Sequence, residues 1–158
     1  AQGCEVGTSL YEKDAIPTIK KHFISSKKIL LPTDVTIQTR ATRDATVVRR
    51  HDSIYDIGPE TLMMLLDLAR MARCVVWNGP IGFTDGGYRK GTKGLLRGLA
   101  KIKGKVILGG GDTLAVLDQL RIHKHFFHVS TGGGAMLDYL ADGSLPGIDA
   151  LEKSERKH

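Results

Sequence analysis

The 158-residue sequence predicts an open α/β fold in which helices cover a parallel sheet. Three short apolar runs lack the alternation of a half-exposed strand, as expected for parallel strands that are buried on both faces. A helical pattern of apolar residues follows each run. The runs cover residues 74–77, 106–108 and 126–129, and the helical patterns cover residues 92–102, 113–120 and 135–141.

The N-terminal part of the chain predicts a helix followed by a strand. Asp14 is a suitable N-cap for a helix whose apolar positions Ile16, Ile19 and Phe23 recur at helical spacing. The apolar residues 29–32 then predict a short buried strand.

A hairpin or an extended loop is expected over residues 34–50, where β-branched and polar residues alternate. Pro59 follows Gly58 and predicts a helix start, because the missing N–H of proline would be unpaired at that position anyway. We find no linker that would divide the chain. The sequence therefore predicts one domain over residues 1–150 and a polar C-terminal tail over residues 151–158.

Composition excludes several classes of protein. The chain has 23 Lys and Arg against 17 Asp and Glu, but these charges are scattered and only nine residues (four Tyr, four Phe and one Trp) are aromatic. This pattern argues against nucleic-acid binding, and it suits either a small acidic ligand or a solvated surface. No apolar run approaches the ~18 residues of a membrane span. Cys4 and Cys74 are too few for a disulfide framework, so we expect a cytoplasmic protein without membrane contact.

Two loops of three glycines carry most of the functional signal, since each stands between a predicted strand and a predicted helix. The first comprises Gly109, Gly110 and Gly111, and the second comprises Gly132, Gly133 and Gly134. Glycine lets a ligand approach the backbone, and free N–H groups at a helix start attract anions. Either loop alone also suits a tight turn. Two such loops at the carboxyl ends of neighbouring strands predict a phosphate site.

Three further side chains have both a structural and a functional interpretation. Asp112 suits a helix N-cap, and it also suits a carboxylate that holds Mg²⁺ beside nucleotide phosphates. Thr113 could donate its hydroxyl to the same phosphates. Asn78, before Gly79 and Pro80, suits either a local turn or a hydrogen bond to a nucleotide.

Other motifs favour structural roles. His123, His125 and His128 lack a neighbouring carboxylate or Cys at ligand spacing, so a polar loop is the preferred interpretation over a metal site. The glycine loops match neither the P-loop nor the dinucleotide fingerprint, which argues against a dinucleotide dehydrogenase. Ser130 has no nucleophile-elbow context.

Taken in chain order, these motifs resemble the C-terminal domain of phosphoglycerate kinase. The resemblance rests on residues 78–80, 109–113 and 130–135, supported by residues 1–10, 29–34, 56–61, 91–92 and 145–147. It implies a Rossmann-like parallel sheet with helices on both faces that lacks its first strands. Residues 1–150 would then be a partial nucleotide-binding domain of a longer enzyme.

The resemblance also implies an activity, which is phosphoryl transfer between 1,3-bisphosphoglycerate and ADP with Mg²⁺. Asp112 would bind the metal, and Thr113 would contact the phosphates. Gly132, Gly133 and Gly134 would face the phosphoryl group while it is transferred. The other nucleotide contacts would come from Asn78, Gly79, Pro80, Gly109, Gly110 and Gly111. Phosphoglycerate would bind only through an N-terminal domain that this chain lacks. The isolated chain is therefore expected to be inactive, and the alternative is a nucleotide-binding or inert fragment.

One segment departs from the family pattern Gly-Pro-x-Gly-x-Phe-Glu, whose Glu contacts the ribose hydroxyls. Here Phe83 is followed by Thr84 and Asp85. The shorter Asp85 would take the place of the ribose-binding Glu.

Overall fold

The computed structural model describes residues 1–155, which form two compact units. The first unit comprises residues 1–68 and 81–95, and the second comprises residues 69–80 and the chain from 96 onwards. Each unit has its own three-stranded sheet. Within the described part of the chain, no helix combines the length and the apolar character that crossing a bilayer requires.

The sheet of the first unit is antiparallel, with strand order β2-β1-β3. Its strands are β1 (Asp34–Ile37), β2 (Thr42–Asp44) and β3 (Ile54–Ile57). The first two strands confirm the predicted hairpin, whereas the third was not predicted. Val35, Ile37 and Val48 form the buried core of this unit.

Two longer helices begin in the first unit, after the sheet. They are α2 (Pro59–Met71) and α3 (Lys90–Leu99). Pro59 occupies the first helical position, as predicted. Helix α3 begins two residues before the predicted start at Thr92 and ends three residues before the predicted end at Ile102.

The second unit contains the predicted parallel sheet, with strand order β4-β5-β6. Its elements are β4 (Cys74–Asn78), β5 (Lys105–Gly109), α4 (Gly111–Leu120), β6 (His128–Ser130), α5 (Gly133–Asp142) and α6 (Pro146–Glu155). Helices α4 and α5 both pack on the central strand β5. The α/β class is therefore confirmed. Residues 151–155 of the predicted tail are helical, and residues 156–158 lie outside the described part of the chain.

The central strand β5 is the most buried of the three parallel strands, but mainly on one face. Val106 and Leu108 point to that face and are almost completely buried, whereas Ile107 on the other face is partly exposed. In β4, by contrast, Cys74 is exposed and Val76 is 44% exposed. Strand β6 begins at His128, and Phe127 before it is 63% exposed. The difference arises because β4 and β6 form the edges of this sheet.

Two N-terminal predictions were wrong. Helix α1 (Ile16–His22) forms as expected, but Asp14 lies in the preceding 3₁₀ turn (Lys13–Ala15) and makes no cap. Residues 29–32 form no strand, and Ile29, Leu30 and Leu31 are about half exposed. An apolar run becomes a strand only where another strand pairs with it, and none does so within residues 1–155.

Candidate functional site

Helix α4 begins with three unpaired backbone donors. Its first helical hydrogen bond runs from the Leu114 N–H to the Gly110 carbonyl at 3.1 Å. The N–H groups of Gly111, Asp112 and Thr113 precede this bond, and within residues 1–155 no side chain caps them. The positive end of the helix dipole is therefore available to an anion.

Helix α5 begins in the same way. The Met136 N–H donates to the Gly132 carbonyl at 2.9 Å, so the N–H groups of Gly133, Gly134 and Ala135 come before the first helical bond. No side chain of the described residues caps this helix either. Both helix starts follow the carboxyl ends of parallel strands, where ligands bind in this architecture.

The two glycine loops and Asn78 are in direct contact. A Cβ atom on Gly133 would overlap Asn78 Oδ1 and would come within 2.6 Å of the Gly110 backbone nitrogen. A Cβ atom on Gly109 would lie 2.8 Å from Asn78 Oδ1. Glycine is required here because the two loops approach each other too closely for any side chain.

Other glycines of the same loops face open space. A Cβ atom on Gly111, Gly134 or Gly79 would meet no other atom within 4 Å. The Asp112 side chain is exposed beside Gly111. The contact between the loops therefore brings two open helix starts together and leaves room beside both.

Two buried polar atoms in this region lack partners among the described residues. They are Asn78 Oδ1 and Thr113 Oγ1. Thr113 is completely buried, so of the three donors at the start of α4 only those of Gly111 and Asp112 belong to exposed residues. Buried polar atoms without partners are uncommon and indicate a missing ligand or water.

Gly79, Pro80 and Asp85 are the remaining predicted site residues. Gly79 has φ +85°, the left-handed region that favours glycine, and Pro80 after it is half-buried. Asp85 belongs to the first unit, where it is exposed in a turn closed by the Gly87 N–H and the Thr84 carbonyl at 3.0 Å.

Carboxylates occupy N-terminal backbone donors of α2 and α3, the two longer helices that begin in the first unit. Asp34 accepts the Glu60 N–H at 3.0 Å and the Thr61 N–H at 2.7 Å, which caps α2 from a distant strand. Burial alone would raise the pKa of Asp34, but hydrogen bonds from Thr61 and Glu60 outweigh it and hold the pKa below its ordinary value.

Asp56 accepts a backbone hydrogen bond at the start of α3 in a similar way. Its Oδ2 atom accepts the Gly91 N–H at 3.0 Å, and its Oδ1 atom accepts the Ile57 N–H at 2.9 Å. Asp56 is 5% exposed, and this burial raises its pKa despite the backbone donors. Sequence reasoning assigned no role to Asp34 or Asp56, because each lies far along the chain from the helix that it caps.

The three histidines do not assemble a metal centre. His123 Nε2 lies 2.8 Å from Asp118 Oδ1, and both side chains are substantially exposed. Among residues 1–155, no group of three His, Cys, Asp or Glu side chains is arranged to hold a metal ion.

Comparison with known proteins identifies the family. The family model for phosphoglycerate kinase matches residues 1–143. This chain belongs to the phosphoglycerate kinase family. A phosphoglycerate kinase of Blochmanniella pennsylvanica (strain BPEN) is 37% identical over 97% of this chain, which spans 41% of that relative.

Solved phosphoglycerate kinases have the same fold over a similar span. The enzyme of Coxiella burnetii gives a TM-score of 0.86 at 32% identity, covering 97% of this chain and 42% of that structure. The enzyme of Pyrococcus horikoshii OT3 gives a TM-score of 0.80 at 28% identity, covering 92% and 38%. The chain thus spans about two-fifths of the length of the phosphoglycerate kinases that it matches.

Proposed function

We propose that this chain supplies the half-site for MgADP and MgATP in phosphoryl transfer between 1,3-bisphosphoglycerate and ADP. The observation that carries the proposal is the pair of adjacent helix starts, α4 and α5, each with three uncapped N–H groups. A polyphosphate supplies the negative charge and the acceptor oxygens that these donors lack.

The residues beside α4 fit a magnesium nucleotide. Mg²⁺ usually binds through one or two carboxylates together with substrate phosphates, and Asp112 places one exposed carboxylate next to open backbone donors. Asp112 would hold the metal, and the Thr113 hydroxyl, which has no partner among the described residues, would contact a phosphate oxygen. When bound, the ion would supply positive charge that neutralises the phosphates.

The second loop suits a catalytic role. Phosphoryl transfer needs little covalent help from the protein, so positioning and charge stabilisation supply most of the rate enhancement. The N–H groups of Gly133 and Gly134 would donate to the oxygens of the transferred phosphoryl group. Gly132, which precedes them, would keep that approach free of side chains.

Asn78 and Gly79 would complete the nucleotide contacts from the end of β4. The unpartnered Asn78 Oδ1 and the open space at Gly79 support this assignment. Gly109 and Gly110 would act by permitting the close packing of the loops, and Pro80 by fixing the chain after Gly79. Asp85 is assigned to the ribose hydroxyls by its place in the family motif.

Acting alone, the chain should bind MgADP without turning over. We assign the phosphoglycerate site to the part of the family protein that this chain does not span. Turnover by the purified chain would contradict that assignment.

Calorimetric titration of MgADP tests the proposal. The Asp112→Ala variant should bind MgADP at least about tenfold more weakly, a change of about 1.4 kcal/mol, while its affinity for metal-free ADP stays nearly constant. Asp138→Ala on α5 is the matched control, since Asp138 is also an exposed carboxylate on a helix that follows a glycine loop.

Absence of saturable binding would contradict the proposal and leave the inert-fragment alternative. Equal MgADP affinities for the wild-type chain and Asp112→Ala would contradict the metal role alone.

A further inference from the structure

A separate cavity of about 250 Å³ lies within the first unit. Its walls come from all three strands of the antiparallel sheet and from the first turns of α2 and α3. None of the residues assigned above to the nucleotide lines it. The cavity is slightly smaller than the roughly 300 Å³ at which pockets for drug-sized ligands begin, so it suits a compact ligand.

Two cationic side chains line this cavity. They are Arg40, in the turn after β1, and Lys90, at the start of α3. Within residues 1–155 neither of them makes an ion pair. Unpaired cations beside a concave surface concentrate anions there, because the low-dielectric walls focus their field.

Arg40 is held in position by an aromatic ring. Its guanidinium carbon lies 4.7 Å from the centre of the Tyr88 ring, and the Tyr88 hydroxyl donates a hydrogen bond to the Gln38 carbonyl. The stacked guanidinium loses little freedom when it binds an anion, because the ring already limits its motion.

The backbone at Arg40 does not explain why arginine stands there. Its φ of +66° is in the left-handed region, where glycine or asparagine would be less strained. Residues kept in such conformations are often found where the side chain serves a ligand. The strain at this turn therefore agrees with a role for the guanidinium.

The acidic residue among those lining the cavity, Asp56, has both oxygens occupied by backbone donors. Burial raises the pKa of Asp56, while these backbone hydrogen bonds lower it. The hydroxyl groups of Thr36 and Thr42 also line the space. The cavity thus combines two cations and polar hydroxyls in one small volume.

We propose that this cavity binds a compact oxyanion, a phosphate or carboxylate group on a small molecule, through the Arg40 guanidinium and the Lys90 ammonium. Planar guanidinium groups bind such oxyanions with two parallel hydrogen bonds, and an ammonium group adds a second point of charge.

Titration of the ¹⁵N-labelled chain with inorganic phosphate tests this proposal residue by residue. The amide signals of Thr42 and Gly91 report the cavity, and that of Gly134 reports the glycine loops. We expect saturable shifts at Thr42 and Gly91. Their apparent Kd should rise at least about tenfold in the double variant Arg40→Asn, Lys90→Gln, while the response of Gly134 stays the same.

Asparagine is chosen at position 40 because it tolerates the left-handed backbone. The double variant Arg97→Gln, Lys101→Gln is the matched control, since it removes the same net charge from exposed positions outside the cavity. Equal weakening at the cavity amides in both double variants would overturn the proposal, because it would indicate a general field effect. Shifts at Gly134 without shifts at the cavity would also overturn it.

Two further ligands distinguish the sources of the anion. Tighter binding of glycerol 2-phosphate than of inorganic phosphate would identify a phosphate monoester as the preferred class. Tighter binding of acetate than of either phosphate compound would identify a carboxylate. Both results support the proposal, whereas failure of all three ligands to saturate the cavity amides would overturn it. The separate reporters keep this outcome distinct from failure of the nucleotide site.

Discussion

The starts of α2 and α3 in the first unit differ from the starts of α4 and α5 in the second. In the first unit, carboxylates from β1 and β3 occupy the N-terminal donors of α2 and α3. In the second unit, α4 and α5 begin at glycines and their first three N–H groups have no cap. A capped start contributes to folding stability, whereas an uncapped start keeps its donors for a ligand. The same structural feature therefore stabilises the first unit and provides the candidate site of the second.

The largest effect is expected from Gly133→Ala. The new methyl group would overlap Asn78 Oδ1 and press on the Gly110 backbone, and that backbone cannot move without displacing its loop. We expect the free energy of unfolding to fall by about 3 kcal/mol, as in severe overpacking. Urea titration measures this loss, and MgADP binding should be lost with it. Unchanged stability would show that the two loops do not pack against each other as described.

The next largest effect is the difference in stability between two variants, each of which removes a carboxylate at a helix start. Asp34→Ala removes the cap of α2 and should lower the free energy of unfolding by about 2 kcal/mol. Asp112→Ala should change it by at most about 0.5 kcal/mol, because Asp112 makes no cap hydrogen bond and loses only its interaction with the helix dipole.

Thermal or urea unfolding of both variants measures this difference. Equal losses would contradict the distinction between a capped and an uncapped start.

A smaller effect is the dependence of stability on pH in the acid range. The pKa of Asp34 is lower in the folded chain than its ordinary value of 3.8. The stability that Asp34 contributes is therefore complete above the unfolded pKa and is lost as the pH falls through the folded pKa. Asp56 acts in the opposite direction, because burial raises its pKa.

Urea unfolding at several pH values from about 5 down to about 2 measures this slope. The stability of Asp34→Asn should fall less steeply with acid than that of the wild-type chain. Some slope should remain, because hydrogen bonds and nearby cations outweigh burial and also hold the pKa of Asp52 below its ordinary value. If stability fell more steeply with acid in Asp34→Asn than in the wild-type chain, the lowered pKa assigned to Asp34 would be contradicted.

The smallest effect on stability is expected from Gly134→Ala. Its methyl group would enter open space in the first turn of α5, and alanine favours helix over glycine, so a gain of about 0.5 kcal/mol is expected. MgADP affinity should nevertheless fall, because the methyl group would occupy the space proposed for a phosphate. A loss of stability as large as that of Gly133→Ala would remove the distinction between packed and open glycines.

Much of the second unit could be predicted from local patterns. The runs at residues 74–77 and 106–108 became β4 and β5, and the helices after the two glycine loops form where periodicity predicted them. The strand predicted at residues 29–32 does not form, because an apolar run in a sequence cannot show whether a partner strand is present. Strand β3 was missed because its four residues carry no distinct alternation.

The sequence by itself determined the α/β class, the two glycine loops and the family resemblance, because these depend on residues that are neighbours along the chain. The tertiary structure decided which glycines are packed and which are open, since that depends on Asn78 lying against loops more than 30 residues away. It also decided that Asp34 caps α2 and that Arg40 and Lys90 share a cavity. These residues lie 26 to 50 positions apart along the chain, so only the folded chain brings them to the same place.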